Sequence, residues 1–386
     1  MSIHNLSNQH IYYNASYTNT TSTYQQAQNS FQLTQALLPK CNDYRFSIIK
    51  WSVAGYLIPI FIFPQPSQPN YSQVKFSVAI KYNGIFYEQD LVYTPWNAGY
   101  QPYLLYWYIY SYQQFIQMLN TAIYNAFQAF KTAIPAFGGT YAPYFVLNEG
   151  TELISCYYEQ AYWDSSYAST YPRLWINVNV QNLMQCLPAY SFPVGYENSP
   201  DLVSQWSQLL FMAQGSGNLQ SSSGNQQIYL YPPSYLNYSG TTPGTIVGNY
   251  TMQDYPCLEA WLQAEKIVIT SSLIPVRAEN FPSITVVQGN SQGSPSTRQI
   301  LSDYDLNSVK GGDVRSIIHY IPTAQYQFYD LLSTSPLYNV DFQFWWVDAS
   351  LTFYPLYINP NETCILKLLF VKKDDKESEP IIGYGM

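Results

Sequence analysis

Hydrophobic and polar side chains alternate along two early segments. In "YRFSIIKWSV", from Tyr44, Phe46 and Ile48 fall on one side and Arg45 and Ser47 on the other. In "VKFSVAIKY" (74–82), Val74, Phe76, Val78 and Ile80 oppose Lys75, Ser77, Ala79 and Lys81. A period of two marks a strand with one covered face, so both segments predict β-strands. Between them "YLIPIFIFP" is β-rich and bounded by proline, "PQPSQPN" reads as a stiff loop and "YNG" (82–84) as a turn.

The period then changes. In "SYQQFIQMLNTAIYNAFQAFKTA" (111–133), Phe115, Leu119, Ala122, Ile123, Ala126, Phe127 and Phe130 recur at spacings of three and four, which predicts a helix. Ser111 with Gln114 forms a capping-box pattern, and Pro135 with Gly138 and Gly139 supplies the stop. The polar face carries Gln and Asn rather than a basic stripe, so the helix is expected to cover a sheet and not a membrane.

The middle of the chain is less regular. "RLWINVNV" (173–180) alternates as a strand, and "SPDLVSQWSQLLFMAQ" suggests a short helix starting near Ser199 or Pro200. "GSGNLQSSSGNQQ" (215–227) reads as a flexible loop, and "YPPSYLNYSGTTPGTIVGNY" is rich in turns and aromatics. Beyond residue 263, "EKIVITSSLIPV", "PSITVVQG", "VRSIIHYIP", "VDFQFWWVD" and "ETCILKLLFV" form a series of short strands separated by turns. Strands without alternating helices argue against a doubly wound parallel sheet and for a sandwich.

These patterns predict a mainly all-β fold, a β-sandwich or jelly roll, interrupted by an inserted domain that is mixed α/β or β-rich; the single jelly-roll form is what the resemblance given below implies. The expected boundaries are an N-terminal arm over 1–40, a jelly-roll domain over 41–88 and 260–373, an insertion over 89–259, and a tail over 374–386. The arm is assigned because "NASYTNTTSTYQQAQNS" shows no sustained period, which implies a lead that orders against a neighbour. The tail, "VKKDDKESEPIIGYGM", concentrates charge abruptly and reads as frayed, with docking as the alternative.

Composition narrows the function. Of 386 residues, 47% are hydrophobic and 18% aromatic, enough apolar area to order the chain, yet only 10% are charged. Tyr, Asn, Gln, Ser and Thr replace the usual ionic surface, and the 40 tyrosines are too many for a core alone. Tyrosine covers apolar area while keeping a hydroxyl for a partner, so the surface suits extensive interfaces. A net charge of −8 with 16 Lys and Arg disfavours a broad electrostatic grip on nucleic acid, and no sequence-specific nucleic-acid partner is expected. The start lacks a charged n-region and an apolar h-region, and the longest apolar run, Val53–Pro64, is too short to span a bilayer. The expectation is a soluble chain made inside a cell, without membrane insertion.

Conventional chemistry is sparse. Cys41, Cys156, Cys186, Cys257 and Cys364 lack paired spacing, which fits reduced, buried thiols. His4 and His10 fall in the arm, His319 sits in a strand pattern, and no G-x-S-x-G elbow accompanies them. Asp303 and Asp305, with Asp341 and Asp348, are the best acidic candidates for glycosidase-like chemistry or cation binding, against turn capping as the plainer reading. "VKGGDV" (309–314) lacks the P-loop array. No catalytic residue, cofactor or metal is assigned.

The segment "GGDVRSIIHYIPTAQYQFYDLLSTSPLYNVDFQFWWVDAS" (311–350), followed by "LTFYPLYINPNETCILKLLFVKK", resembles the C-terminal part of the minor capsid, or penton, proteins of virophages and related polinton-like viruses. "YRFSIIKWSVAGYLIPIFIF" resembles the start of the same proteins. The resemblance implies a jelly roll assembling into homopentamers at icosahedral vertices beside the major capsid protein, in virions assembled in the host cytoplasm. It also implies an outward-facing insertion, a candidate for contact with a host or giant-virus receptor. Trp51, Tyr56, Tyr320, Tyr326, Tyr329, Trp345 and Trp346 lie in or beside the matching phrases and are nominated for framework or subunit packing. Tyr231, Tyr235 and Tyr238, in the insertion, are nominated for receptor or glycan contact. A carbohydrate-binding adhesin and a β-rich glycan hydrolase are the competing readings.

Overall fold

The computed structural model describes residues 10–67, 70–95, 107–163, 171–197, 199–201, 204–211, 228–238, 242–276, 285–288, 291–292, 299–306, 316–321 and 327–373. The chain divides into two compact units, one formed by Met1–Ile58 with Ala264–Met386 and the other by Pro59–Gln263. Strands predominate in both.

The first unit contains two principal sheets. One runs His10–Thr18, Thr363–Lys372, Tyr44–Ala54, Ile317–Tyr320, all antiparallel, with Tyr329–Asp330 also pairing to Tyr44–Ala54. The other is centred on Asn339–Asp348, flanked by Ala264–Thr270 and then Ile300–Asp305 on one side, and by Thr352–Pro355 and Gln28–Gln32 along the other. In Tyr44–Ala54, Phe46 and Ile48 face inward as the period of two predicts, and a bulge at Ile49 shifts the phase by one so that Trp51 and Val53 turn to the same core; Phe46, Trp51 and Val53 are fully buried. The Trp51 ring lies 5.8 Å from Phe344 and 5.0 Å from Tyr304, both on the second sheet, so the two sheets share a core.

Part of the expected arm is integral to this unit. His10–Thr18 pairs residue for residue with Thr363–Lys372, and Gln28–Gln32 pairs with Asn339–Asp348. Ile11, Tyr13, Ala15 and Tyr17 turn toward the core side while Tyr12, Asn14, Ser16 and Thr18 are exposed, so an alternation is present. Tyrosine on both faces masks it, which is why the segment reads as aperiodic.

The second unit is mixed α/β. Helix Tyr112–Ala133 buries Phe115, Leu119, Ile123, Phe127 and Phe130 in a core shared with two sheets. One sheet runs Ala189–Phe192, Trp206–Leu209, Arg173–Asn177, Ser77–Tyr82, Ile85–Asp90; the other runs Ile228–Tyr229, Val247–Met252, Leu153–Glu159, Tyr144–Asn148. Ser111 caps the helix by accepting from the Gln113 amide at 3.2 Å, while Gln114 accepts from the Tyr110 amide at 3.0 Å, one residue earlier than a strict capping box requires. The ends of this unit lie side by side, since the Gln263 amide donates to the Ile60 carbonyl at 3.0 Å and its side-chain oxygen accepts from the Ile62 amide at 3.0 Å.

Three sequence expectations are corrected here. Residues 59–88, assigned to the jelly roll, lie in the second unit because the Ser77–Tyr82 strand pairs with Arg173–Asn177. The helix expected from Ser199 or Pro200 is a strand at Trp206–Leu209, buried against Arg173–Asn177. "RLWINVNV" is a strand only to Asn177, whose side-chain oxygen accepts from the Val180 amide at 3.2 Å and starts the short helix Val178–Leu183.

Candidate assembly and contact surfaces

Six of the seven nominated framework residues lie within the described residues, and Tyr326 lies outside them. Trp51, Trp345 and Trp346 are buried inside the first unit. The Trp345 indole donates to Thr270 at 2.9 Å, and Trp346 stacks on Tyr354 at 4.1 Å. Tyr320 stacks on Trp51 at 6.0 Å and Tyr329 packs at 5.6 Å against Phe46, so both serve the same core from its rim. These five hold the protomer together. Tyr56 is different: 45% of it is exposed, which leaves its ring available to a neighbour.

The insertion tyrosines belong to a larger aromatic cluster. Tyr144, Tyr157 and Tyr250 stand directly opposite one another across three neighbouring strands, with ring centroids 5.5 Å apart at each step. Cross-strand aromatic pairs of this kind stabilise a sheet face. The segment around 230–238 packs on that face, burying Leu230 and Leu236 beside Tyr141 and Tyr144. Tyr238 sits between Tyr141 and Tyr124 at 4.8 and 5.1 Å and accepts from the Ala142 amide at 3.0 Å. Burial drives the phenols of Tyr144 and Tyr238 well above the ordinary tyrosine range. Tyr238 is thus an anchor of the segment. Tyr231, 67% exposed, and Tyr235, 40% exposed, present ring surface outward from it.

Two polar residues that the sequence did not single out fix this region. Asn120 is fully buried on the helix and treats Phe145 as a strand neighbour would, donating to its carbonyl at 2.9 Å and accepting from its amide at 2.7 Å. Its second amide hydrogen reaches Tyr235 Oη at 2.9 Å. Glu159, also buried, accepts from the Thr140 amide at 2.9 Å and the Tyr141 amide at 2.7 Å. Burial raises its pKa, opposed by those amides and by Lys131. The clue to Asn120 was a polar residue inside an apolar helical stripe; Glu159 carried no comparable signal.

The acidic candidates are separated by role. Asp341 gathers the 271–273 turn, accepting from Ser271 and Ser272 hydroxyls and from the Ser272 and Leu273 amides. Asp348 does the same for the Ser350–Thr352 turn and accepts from Tyr354 Oη at 3.2 Å. Asp303 pairs with Lys266 at 3.1 Å on an exposed strand face that Asp305 shares. Asp341 and Asp348 clamp turns and Asp303 carries an ion pair, so the bonds of these three acids are structural. His319 stands opposite Ser52 on the sheet, and its side chain is exposed. Among the described residues, no group of three or more His, Cys, Asp or Glu is placed to hold a metal ion, and no helix is long and apolar enough to cross a membrane.

A family model described as Sputnik minor capsid protein V18/19 matches residues 11–372. The chain belongs to that family. Structural protein V19 of Sputnik virophage is 24% identical over 233 residues, which cover 59% of this chain and 94% of V19. Protein V18 of the same virophage is 31% identical over 137 residues, covering 30% of this chain and 77% of V18. A chain in the cryo-EM structure of the Sputnik virophage superposes with a TM-score of 0.68 at 25% identity, over 94% of this chain and 98% of that one. The mavirus penton protein superposes with a TM-score of 0.58 at 14% identity, over 94% and 99% respectively. The predominantly β structure, with its several sheets, therefore resembles the jelly-roll penton folds, and the V18/19 family membership gives the chain a structural role as a viral capsid protein.

Proposed function

We propose that the chain forms homopentameric capsomers that close the vertices of an icosahedral capsid. In this reading the first unit is a single jelly roll that meets its copies and the major capsid protein, and the unit 59–263 faces outward. The observation that carries it is the superposition on a penton protein across 94% of the chain, which includes both units. The surface chemistry supports it. A ring around a five-fold axis repeats one heterologous contact, so each subunit needs two different complementary sides. Exposed neutral groups such as Tyr12, Tyr56, Ile321, Leu332 and Tyr338 on the first unit suit contacts that bury few charges. Light scattering with single-particle imaging of the purified chain tests the ring. Five-fold classes agree with it; a compact trimer overturns it and favours an adhesin.

A contact function for the outer unit rests on Tyr231 and Tyr235, whose exposed rings are held by a rigid aromatic base. Flat apolar rings of this kind suit the faces of sugar rings. The Tyr231→Ala/Tyr235→Ala pair is expected to weaken particle binding to host-derived glycans while leaving particle yield unchanged. Unaltered binding contradicts the assignment.

A further inference from the structure

Two of the five thiols share one corner of the unit Pro59–Gln263. Cys186 lies in the turn between helix Val178–Leu183 and strand Ala189–Phe192, partly exposed, with a φ of 69°. A positive φ is costly for a residue with a Cβ and persists only where the surroundings hold it. Cys257 is buried just before the short helical turn Leu258–Trp261. Its thiol reaches the same stretch of chain, with Sγ 3.4 Å from the Leu183 carbonyl oxygen and 3.8 Å from that of Gln185. The Gln185 carbonyl oxygen and the Cys186 α-carbon belong to one planar peptide unit, about 2.8 Å apart, so the Cys257 sulfur lies within about 7 Å of that α-carbon.

Gln253, almost wholly buried, ties the two sides together. Its carboxamide nitrogen donates to Cys257 Sγ at 2.8 Å and to the Gln185 carbonyl at 2.7 Å, while its oxygen accepts from the Ile154 amide at 2.9 Å. Burial pushes the Cys257 thiol up, and Cys186 is near enough to push it the same way. Cys186 is hydrogen-bonded in turn to the hydroxyl of Tyr255, a residue 58% exposed. An accessible sulfur with a second, sheltered sulfur behind it is the arrangement of a reactive and a resolving thiol.

We propose that Cys186 and Cys257 form a dithiol site that low-molecular-weight disulfides, such as oxidised glutathione, convert to an intrachain disulfide. The Cys186 thiolate attacks one sulfur of the small disulfide. That S–S bond breaks, and one small thiol leaves with the proton that Cys186 gave up. Cys257 then loses its own proton, attacks Cys186 Sγ and expels the second small thiol. Two protein thiols and one small disulfide become one protein disulfide and two small thiols, so the protein loses the two electrons that the reagent gains. The Gln253 N–H assists the second attack, because it stabilises the Cys257 thiolate as it forms. Bringing the sulfurs to about 2 Å takes a shift within the one turn that carries Cys186. The bond cross-ties that turn to the segment 253–257 and closes the chain between residues 186 and 257 into a loop, which removes entropy from the unfolded state. The proposal does not depend on the vertex reading.

The test equilibrates the full chain in glutathione buffers from reduced to oxidised, blocks free thiols with iodoacetamide and maps the unreduced peptides by mass spectrometry. A linked Cys186–Cys257 peptide is expected to dominate in the oxidised buffer, at a yield independent of protein concentration, and to vanish in the reduced one. Cys41, Cys156 and Cys364 are expected to stay free. Cys257→Ser is expected to stop at glutathione bound to Cys186. In Cys186→Ser, glutathione is expected to reach Cys257 several-fold more slowly than it reaches Cys186 in the unaltered chain. The unaltered chain keeps the test decisive if Cys257→Ser fails to fold. Glutathione persisting on Cys186 beside a free Cys257 overturns the proposal. So do both thiols remaining reduced throughout, or Cys186 joined only to a second copy in mixtures of isotopically light and heavy chains.

Discussion

Asn120 shows how one side chain fixes an element. It satisfies both backbone groups of Phe145 from within the helix, and replacing it by Ala leaves an amide and a carbonyl buried without partners. Asn120→Ala is expected to cost about 2 kcal/mol or more, seen as a lower urea midpoint; an unchanged midpoint contradicts the role. Glu159 makes a pH-dependent contribution. Because burial raises its folded pKa above the ordinary glutamate value of 4.5, the folded state binds the proton more tightly than the unfolded state. Its effect favours folding below that value and is lost as pH rises through the folded pKa. Glu159→Gln is expected to flatten the fall in stability over that window while retaining the bonds from Thr140 and Tyr141. Glu159→Ala strands those amides and is expected to destabilise at every pH, by about 1–3 kcal/mol. The thiols follow burial. Cys41, Cys156, Cys257 and Cys364 are buried, with Cys364 pushed up to about 12, so a native thiol titration is expected to detect Cys186 alone at early times. Burial of the thiols was expected from their unpaired spacing, and four of the five are buried; the roles of Asn120 and Glu159 were not read beforehand, because each depends on which distant backbone groups the fold brings to the side chain.

At the scale of elements, the helix was the clearest feature of the sequence. Its apolar spacing of three and four is unaffected by tertiary context, and Ser111 marks its start in both sequence and structure. Ser111→Ala is expected to cost about 1 kcal/mol. The start of Tyr44–Ala54 was legible too, since Phe46 and Ile48 turn inward opposite Arg45, but the bulge at Ile49 that brings Trp51 to the same core, and the burial of Ser47, left no mark in the pattern. His10–Thr18 was not, since tyrosine suits a core or a wet surface and erases that contrast. The structure makes this strand the partner of all nine residues Thr363–Val371, so removing 1–18 exposes a full ladder edge. That deletion is expected to lower the melting temperature and promote aggregation; an unchanged melting temperature would restore the reading of this segment as an arm. The Trp206–Leu209 strand was obscured for another reason: its local pattern permits a helix, and only pairing with Arg173–Asn177 and Ala189–Phe192 decides against one.

At the scale of the whole molecule, the sequence reads as a β-rich body with an insertion over 89–259, and the structure divides into Met1–Ile58 with Ala264–Met386 and Pro59–Gln263. The segment 74–82 alternates in sequence like the strands of the first unit, and no local feature records that its strand joins Arg173–Asn177 and Ile85–Asp90 instead. The low charge and abundant tyrosine pointed to a surface made for contact, and membership in the minor capsid V18/19 family gives that surface a capsid context. The central claim is that five copies of this chain close each vertex. Icosahedral reconstruction of the virion by cryo-electron microscopy tests it most directly. The account predicts density for five copies around every five-fold axis, with the unit 59–263 outermost; density for this chain elsewhere in the shell, or a different protein at the five-fold positions, would contradict it.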